Sequence, residues 1–125
     1  MILAARRTDR LNDLKARLES EFPKSRVLAV TMDVRDKSTV DSAIESLPAE
    51  FKNIDILLNN AGLVLGLDPL EMVNSEELNI MLDTNVKGLI YVTQAILPLM
   101  KKRPWGAIVN LNSIAGTEAY PNGSI

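Results

Sequence analysis

The chain has 125 residues and a formal net charge of −2, with its Lys and Arg residues interspersed among Asp and Glu. This balance argues against a nucleic-acid or membrane-surface partner. It contains neither cysteine nor histidine, which excludes disulfides, thiolate nucleophiles, a Ser-His-Asp triad and Cys-based zinc sites. Any metal site would have to be built from oxygen ligands. We expect no metal, and any proton transfer must use Tyr, Lys, Asp or Glu.

The length suits one domain, residues 1–125. The most apolar stretch, residues 89–100, falls well short of the roughly 20 residues that a membrane span requires. In residues 1–7 the positive charge follows a short apolar run, which is the reverse of a secretory signal. We therefore expect a cytoplasmic protein without a membrane partner.

The first half of the chain predicts two strand–helix pairs. Residues 2–5 form a short apolar run, and Thr8 is then placed to cap a helix. Residues 27–31 predict a second buried strand. Ser38 is predicted to open a second helix, whose apolar residues recur at the i, i+3, i+4, i+7 spacing and which ends at Pro48.

The second half continues the alternation. Residues 54–58 form a third apolar run, followed by a glycine-containing loop that extends to about residue 74. Ser75 is predicted to cap a long helix, and residues 107–111 predict the last strand. Strands that are apolar on both faces and alternate with amphipathic helices indicate an α/β fold. Its parallel sheet is expected to be doubly wound, with right-handed crossovers.

Ligands in such a sheet bind outside the carboxyl ends of the strands. Arg6 and Arg7 follow the first strand, where an NAD-binding protein carries an acidic residue, and a guanidinium there could pair with a 2′-phosphate. Alternatively they are solvated arginines at a helix start. Asp33 and Val34 follow the second strand and could hydrogen-bond and pack against an adenine, or Asp33 could simply cap a turn.

The third strand leads into two asparagines and two small residues, which let a ligand approach the backbone closely. As a generic turn, this run would need no function. In its setting, the segment 56–62 resembles the hallmark strand of the classical short-chain dehydrogenase/reductase family. The resemblance implies a Rossmann-like fold in which this segment supports the central sheet, and in which Asn60, Ala61 and Gly62 line the cofactor.

A second motif extends the resemblance. Residues 84–88 match the family's Asn-x-x-Gly pattern, in which the asparagine, here Asn85, holds a water of the proton relay. Because Asn85 falls on the apolar stripe of its helix, we expect its amide to be buried and hydrogen-bonded. The alternative is an asparagine satisfied by a neighbouring loop. Gly88 costs a helix about 1 kcal/mol relative to alanine and so predicts a tight approach or a kink.

A third motif, residues 112–116, is similar to the family's Ser-Ser-x-Ala-Gly. Ser113 aligns with the catalytic serine, whose hydroxyl hydrogen-bonds the substrate oxygen while a tyrosine exchanges its proton and a lysine assists. The family's tyrosine usually follows this serine by thirteen residues, one position beyond Ile125. Tyr120 is misplaced, and the 125 residues contain no Tyr-x-x-x-Lys pair.

The resemblance thus implies a partial dinucleotide-binding domain. The family's first strand with its glycine-rich turn is missing, and so are the C-terminal strands. Because that first strand would lie between two that are present, we expect an unpaired apolar edge at residues 54–58. A chain of this kind is predicted to fold poorly and to be inactive when expressed alone.

Residues 61–66 and 119–125 resemble a subgroup of NADP-dependent dehydrogenases acting on 3-hydroxy acids such as serine and allo-threonine. For an intact parent this implies hydride transfer between NADP(H) and a secondary alcohol or carbonyl of a small-molecule substrate. It also implies a homo-oligomer. Arg6 and Arg7 would select the phosphate, and Ser113 and Asn85 would serve proton transfer. Two alternatives stay open: a non-catalytic remnant or interaction protein, and an unrelated nucleotide-binding α/β module.

Overall fold

A computed structural model describes residues 1–66 and 68–118. Within them, strands and helices alternate along the chain, as the sequence predicted. The strands are β1 (Ile2–Ala5), β2 (Leu28–Thr31), β3 (Ile56–Asn59) and β4 (Ala107–Asn110). The helices are α1 (Thr8–Glu21), α2 (Lys37–Glu45), α3 (Ser75–Leu82) and α4 (Leu89–Met100), and a π-helical segment, Asp83–Gly88, joins the last two.

The strands form two parallel pairs. β1 pairs with β2, and Ala5 lies opposite Thr31 at the end of that ladder. β3 pairs with β4, and Asn59 lies opposite Asn110. Among the described residues no ladder joins β1 to β3, and a cleft of about 1230 Å³ is lined by both strands. The α/β class and the parallel pairing are confirmed, and the sheet is open at the expected place.

The start of helix α1 differs from the prediction. Thr8 is its first helical residue, and Arg7 occupies the cap position without a side-chain cap. The hydroxyl of Thr8 instead shares a hydrogen bond of 2.8 Å with the hydroxyl of Thr31. The prediction that Thr8 caps the helix is therefore wrong, because its side chain is used to tie the start of α1 to the carboxyl end of β2.

Helices α2 and α3 are capped by residues that precede the predicted ones. The Asp36 carboxylate accepts hydrogen bonds from two backbone N–H groups in the first turn of α2, including that of Ser38 at 2.8 Å. The Asn74 side chain accepts from the N–H of Glu76 at 2.7 Å. Helix α2 thus begins one residue before Ser38, where its start was predicted. The cap predicted at Ser75 is wrong, since the amide oxygen of Asn74 serves the N–H group instead.

The main core joins the two strand pairs through helices α2 and α4. Its buried members come from both halves of the chain: Met32, Val40, Leu57, Val92, Ile96 and Met100. Val40 has no solvent exposure at all. Full burial of an aliphatic side chain of this size contributes about 1.5–3 kcal/mol. Side-chain packing, rather than a shared ladder, therefore holds the two strand pairs together.

Strand β3 presents its apolar side chains alternately to the core and to solvent. Leu57 and Asn59 are buried, whereas Ile56 and Leu58 are 59% and 58% exposed. Among the described residues β3 pairs only with β4, so its other edge is unpaired, as expected for residues 54–58, and apolar side chains of this strand are exposed. In the part of the chain that the structure describes, no helix has the length and apolar character needed to cross a membrane.

Candidate functional site

The cleft is lined in part by residues that follow β1, β2 and β3. Six of the seven residues predicted to bind a cofactor line it: Arg6, Asp33, Val34, Asn60, Ala61 and Gly62. The seventh, Arg7, occupies the cap position of α1 and is not among the lining residues. The parallel topology therefore gathers positions that are up to 56 residues apart in sequence into one cavity.

Arg6 is exposed and uncommitted. Among the described residues, neither Arg6 nor Arg7 forms an ion pair or donates a side-chain hydrogen bond. Arg6 lines the cleft directly after the last paired residue of β1. A free guanidinium in this position can pair with an anionic group of a ligand in the cleft.

Asp33, by contrast, already has a partner. The Arg35 Nε donates to both carboxylate oxygens at 3.1 and 3.0 Å, and its Nη2 donates to Oδ2 at 2.6 Å. The Arg35 backbone N–H also donates to Oδ1, at 3.0 Å. These hydrogen bonds hold the pKa of Asp33 below its usual value, against the opposing effect of burial, and the charge of Arg6 adds to the shift. Asp33 thus caps its own turn.

Arg35 is a residue that the sequence reasoning missed. The signal was an arginine two positions after an aspartate at a strand end, a spacing at which the side chain can fold back. The ion pair is partly protected, with the two side chains 33% and 28% exposed. Asp33 therefore lines the cleft while it is ion-paired with Arg35.

Val34 packs against the π-helical segment. A Cβ atom added to Gly88 would lie 2.7 Å from Val34 Cγ2 and 3.0 Å from Val34 Cβ. Real Cβ atoms essentially never approach other atoms within 3.0 Å. The tight approach predicted at Gly88 is therefore confirmed, and it docks the turn after β2 onto the helix that carries Asn85.

Asn85 joins this helix to the loop after β3. Its Oδ1 accepts from the N–H of Leu63 at 2.9 Å, and its Nδ2 donates to the carbonyl of Leu63 at 2.7 Å. The expectation that Asn85 is buried is wrong, because the loop to which it bonds is itself largely exposed. Its amide does have partners, and they belong to a neighbouring loop, as the alternative interpretation supposed.

Asn59 has a structural role. Its side chain is buried at 9% exposure, and Nδ2 donates to the hydroxyl of Thr93 at 3.1 Å and to Asn110 Oδ1 at 2.9 Å. These contacts join β3 to α4 and to β4. Asn59 therefore fixes the end of β3, from which Asn60 and the small residues after it continue along the cleft.

Ser113 follows β4 and begins a single helical turn, Ile114–Gly116. Its Oγ accepts a hydrogen bond from the N–H of Ala115 at 3.2 Å, which leaves the hydroxyl proton free to be donated. Neither Ser113 nor Asn85 is among the residues that line the cleft. Tyr120 lies outside the described residues. Within those residues, no three acidic side chains are grouped as a metal site.

A model of the short chain dehydrogenase family matches residues 1–125. The chain belongs to this family. NADP-dependent 3-hydroxy acid dehydrogenases from Escherichia coli O6:H1 and Schizosaccharomyces pombe are 42% and 43% identical to it over all 125 residues, which are 48% of each relative. The crystal structure of serine dehydrogenase from Escherichia coli matches with a TM-score of 0.88 at 43% identity. That match covers 98% of this chain and 54% of the other.

This short-chain dehydrogenase chain therefore spans about half the length of the curated relatives that it matches. The family and the Rossmann-like fold inferred from the three sequence motifs are confirmed.

Proposed function

We propose that the chain forms the cofactor-binding part of an oxidoreductase that transfers hydride between NADP(H) and a secondary alcohol or carbonyl. The uncommitted Arg6 guanidinium carries the proposal, because it lines the same cleft as the segment Asn60–Gly62. A guanidinium is suited to a 2′-phosphate, the group that distinguishes NADP from NAD. The NADP dependence named for the relatives supports the same choice.

The cleft residues fit such a cofactor. Arg6, with Arg7 next to it in sequence, would hold the 2′-phosphate, and Val34 would pack against the adenine. Small side chains at Ala61 and Gly62 leave room for a ligand close to the backbone. NADP supplies or accepts the hydride when it is bound.

We assign the proton side of the reaction to Ser113 and Asn85. The free hydroxyl proton of Ser113 is available to hydrogen-bond a substrate oxygen. Asn85 would hold a water molecule and keep the loop after β3 in place through Leu63. Because the 125 residues contain no Tyr-x-x-x-Lys pair, these two groups would act only together with such a pair.

The proposed substrates are 3-hydroxy acids such as serine or allo-threonine, in keeping with the names of the relatives. We further expect a cytoplasmic protein whose complete form is a homo-oligomer and which binds neither nucleic acid nor membranes. Arg6 and Arg7 then decide the cofactor, while the substrate is held by parts of the site beyond the cleft.

A chimera tests this proposal. The 125 residues replace the matching segment of Escherichia coli serine dehydrogenase, and serine oxidation is measured with NADP and with NAD. We expect activity with a strong preference for NADP, and we expect Arg6→Ala to reduce kcat/KM for NADP while that for NAD changes little. Equal use of NAD and NADP would show that the role given to Arg6 and Arg7 is wrong.

The proton side is tested in the same protein. Ser113→Ala is expected to lower kcat by about 10²-fold or more without weakening cofactor binding. Ser124 lies in the same C-terminal region and has no proposed role, so Ser124→Ala is the matched control. Equal losses in the two variants would remove Ser113 from the mechanism.

A further inference from the structure

Three charged residues, Arg6, Asp33 and Arg35, follow the ends of the first strand pair. The backbone N–H of Met32 donates to the carbonyl of Ala5 at 3.0 Å, so by the register of the ladder Arg6 lies opposite Met32 and Asp33 follows one residue later. The charge of Arg6 acts on the Asp33 carboxylate and lowers its pKa. Both line the cleft, whereas Arg35 does not. Arg35 contacts Asp33 through both carboxylate oxygens.

A carboxylate next to Arg6 is unfavourable for a 2′-phosphate. A phosphate monoester carries a charge of about −1.5 to −2 at neutral pH, and like charges at a partly protected site repel each other. An unpaired Asp33 would also compete with the ligand for the guanidinium of Arg6. The cleft could then bind an unphosphorylated ribose almost as well as a phosphorylated one.

We propose that Arg35 is a specificity-determining residue that acts through Asp33. By pairing with both carboxylate oxygens, it neutralises Asp33 and leaves Arg6 free to bind a 2′-phosphate. This inference rests on the proposed use of NADP. The planar guanidinium suits the task because it engages both oxygens at once, which an ammonium group does less well.

The test is a cycle of four proteins: the parent sequence, Arg35→Gln, Asp33→Asn and the double variant. Each is made in the chimera, because the 125-residue chain is expected to fold poorly alone. Calorimetry gives the Kd for adenosine 2′,5′-bisphosphate and for 5′-AMP, which differ only in the 2′-phosphate. The ratio of kcat/KM for NADP to that for NAD is measured in the chimera as a second readout.

We expect Arg35→Gln to weaken binding of the bisphosphate by about tenfold, an effect that shrinks as salt is added, with little change for 5′-AMP. In the Asp33→Asn background, Arg35→Gln should change the ratio of the two Kd values, bisphosphate to 5′-AMP, less than twofold. The reason is that no carboxylate is left to neutralise. Lys37→Gln is the matched control. Lys37 is a cation near Arg35 in sequence that pairs with Asp41 outside the cleft, so its loss should leave the ratio unchanged.

Two results would overturn the inference. An equal loss for both nucleotides in Arg35→Gln would mean that Arg35 only maintains the turn. The same tenfold loss in the Asp33→Asn background would mean that Arg35 contacts the phosphate itself. If the parent sequence binds the two nucleotides equally, it is the proposed use of NADP that fails, and the cycle tells this case apart from the other two.

Discussion

Replacement of Gly88 by alanine sets two effects of opposite sign against each other. Helix propensity favours alanine by about 1 kcal/mol. Against this, the new methyl group would lie 2.7 Å from Val34 Cγ2, closer than real contacts allow, and 3.0 Å from Val34 Cβ, which is tighter than most. Val34 is β-branched and stiff, and it follows a residue fixed by four hydrogen bonds to Arg35. It therefore cannot move aside cheaply.

Overpacking of this kind costs about 1–3 kcal/mol, so we expect Gly88→Ala to lower the free energy of unfolding by about 1 kcal/mol net. The assay is urea unfolding of the chimera followed by circular dichroism. Val34→Ala combined with Gly88→Ala should recover part of the loss. Gly116→Ala, whose added Cβ would meet nothing closer than 3.6 Å, should stay within about 0.5 kcal/mol. A Gly88→Ala protein more stable than its parent would refute the steric reasoning.

Four further outcomes are expected. Asn74→Ala removes the cap of α3 and should cost about 1 kcal/mol in the same urea assay. The pKa of Asp33 is lowered on folding, so its contribution to stability is complete above its unfolded pKa of about 3.9 and is lost as pH falls through the lower folded value. Acid titration of Asp33→Asn should lack this loss. Asn85→Ala should speed hydrogen exchange at the Leu63 amide, whereas Asn79→Ala, an exposed change on α3, should not. The 125-residue chain alone should show no cooperative thermal unfolding; a cooperative transition that NADPH shifts upward would contradict this.

Much of the fold was predictable because its signals are local. Apolar runs located all four strands to within two residues, and apolar spacing located the helices. The π-helical segment within the predicted long helix was not foreseen. There the Thr84 hydroxyl donates back to the carbonyl of Ile80 at 2.8 Å, and Val34 approaches Gly88. The second contact depends on a turn about fifty residues away, which periodicity within the helix does not report.

The candidate site likewise contains residues that the sequence predicted and residues that it did not. Residues directly after strands could be named from the sequence, since parallel topology alone brings them to one edge. The exposure of Asn85 could not be predicted from the sequence, because it depends on the path of the loop around Leu63. Arg35 is a different case. Its partner lies only two residues away, so this ion pair is of the kind that local sequence spacing can predict.

The core shared by α2 and α4 has a consequence for how the cofactor site is held. A backbone ladder locks neighbouring strands into steps of about 3.3 Å, whereas apolar packing is non-directional and imposes no register. Within the described residues, Arg6 and Asp33 belong to one strand pair and Asn60 to the other, and packing is what connects the pairs. The distance between Arg6, the proposed phosphate contact, and Asn60, which would line the cofactor, is therefore not fixed by a backbone ladder. A group that fills the cleft between β1 and β3 would therefore set the distance between the two strand pairs.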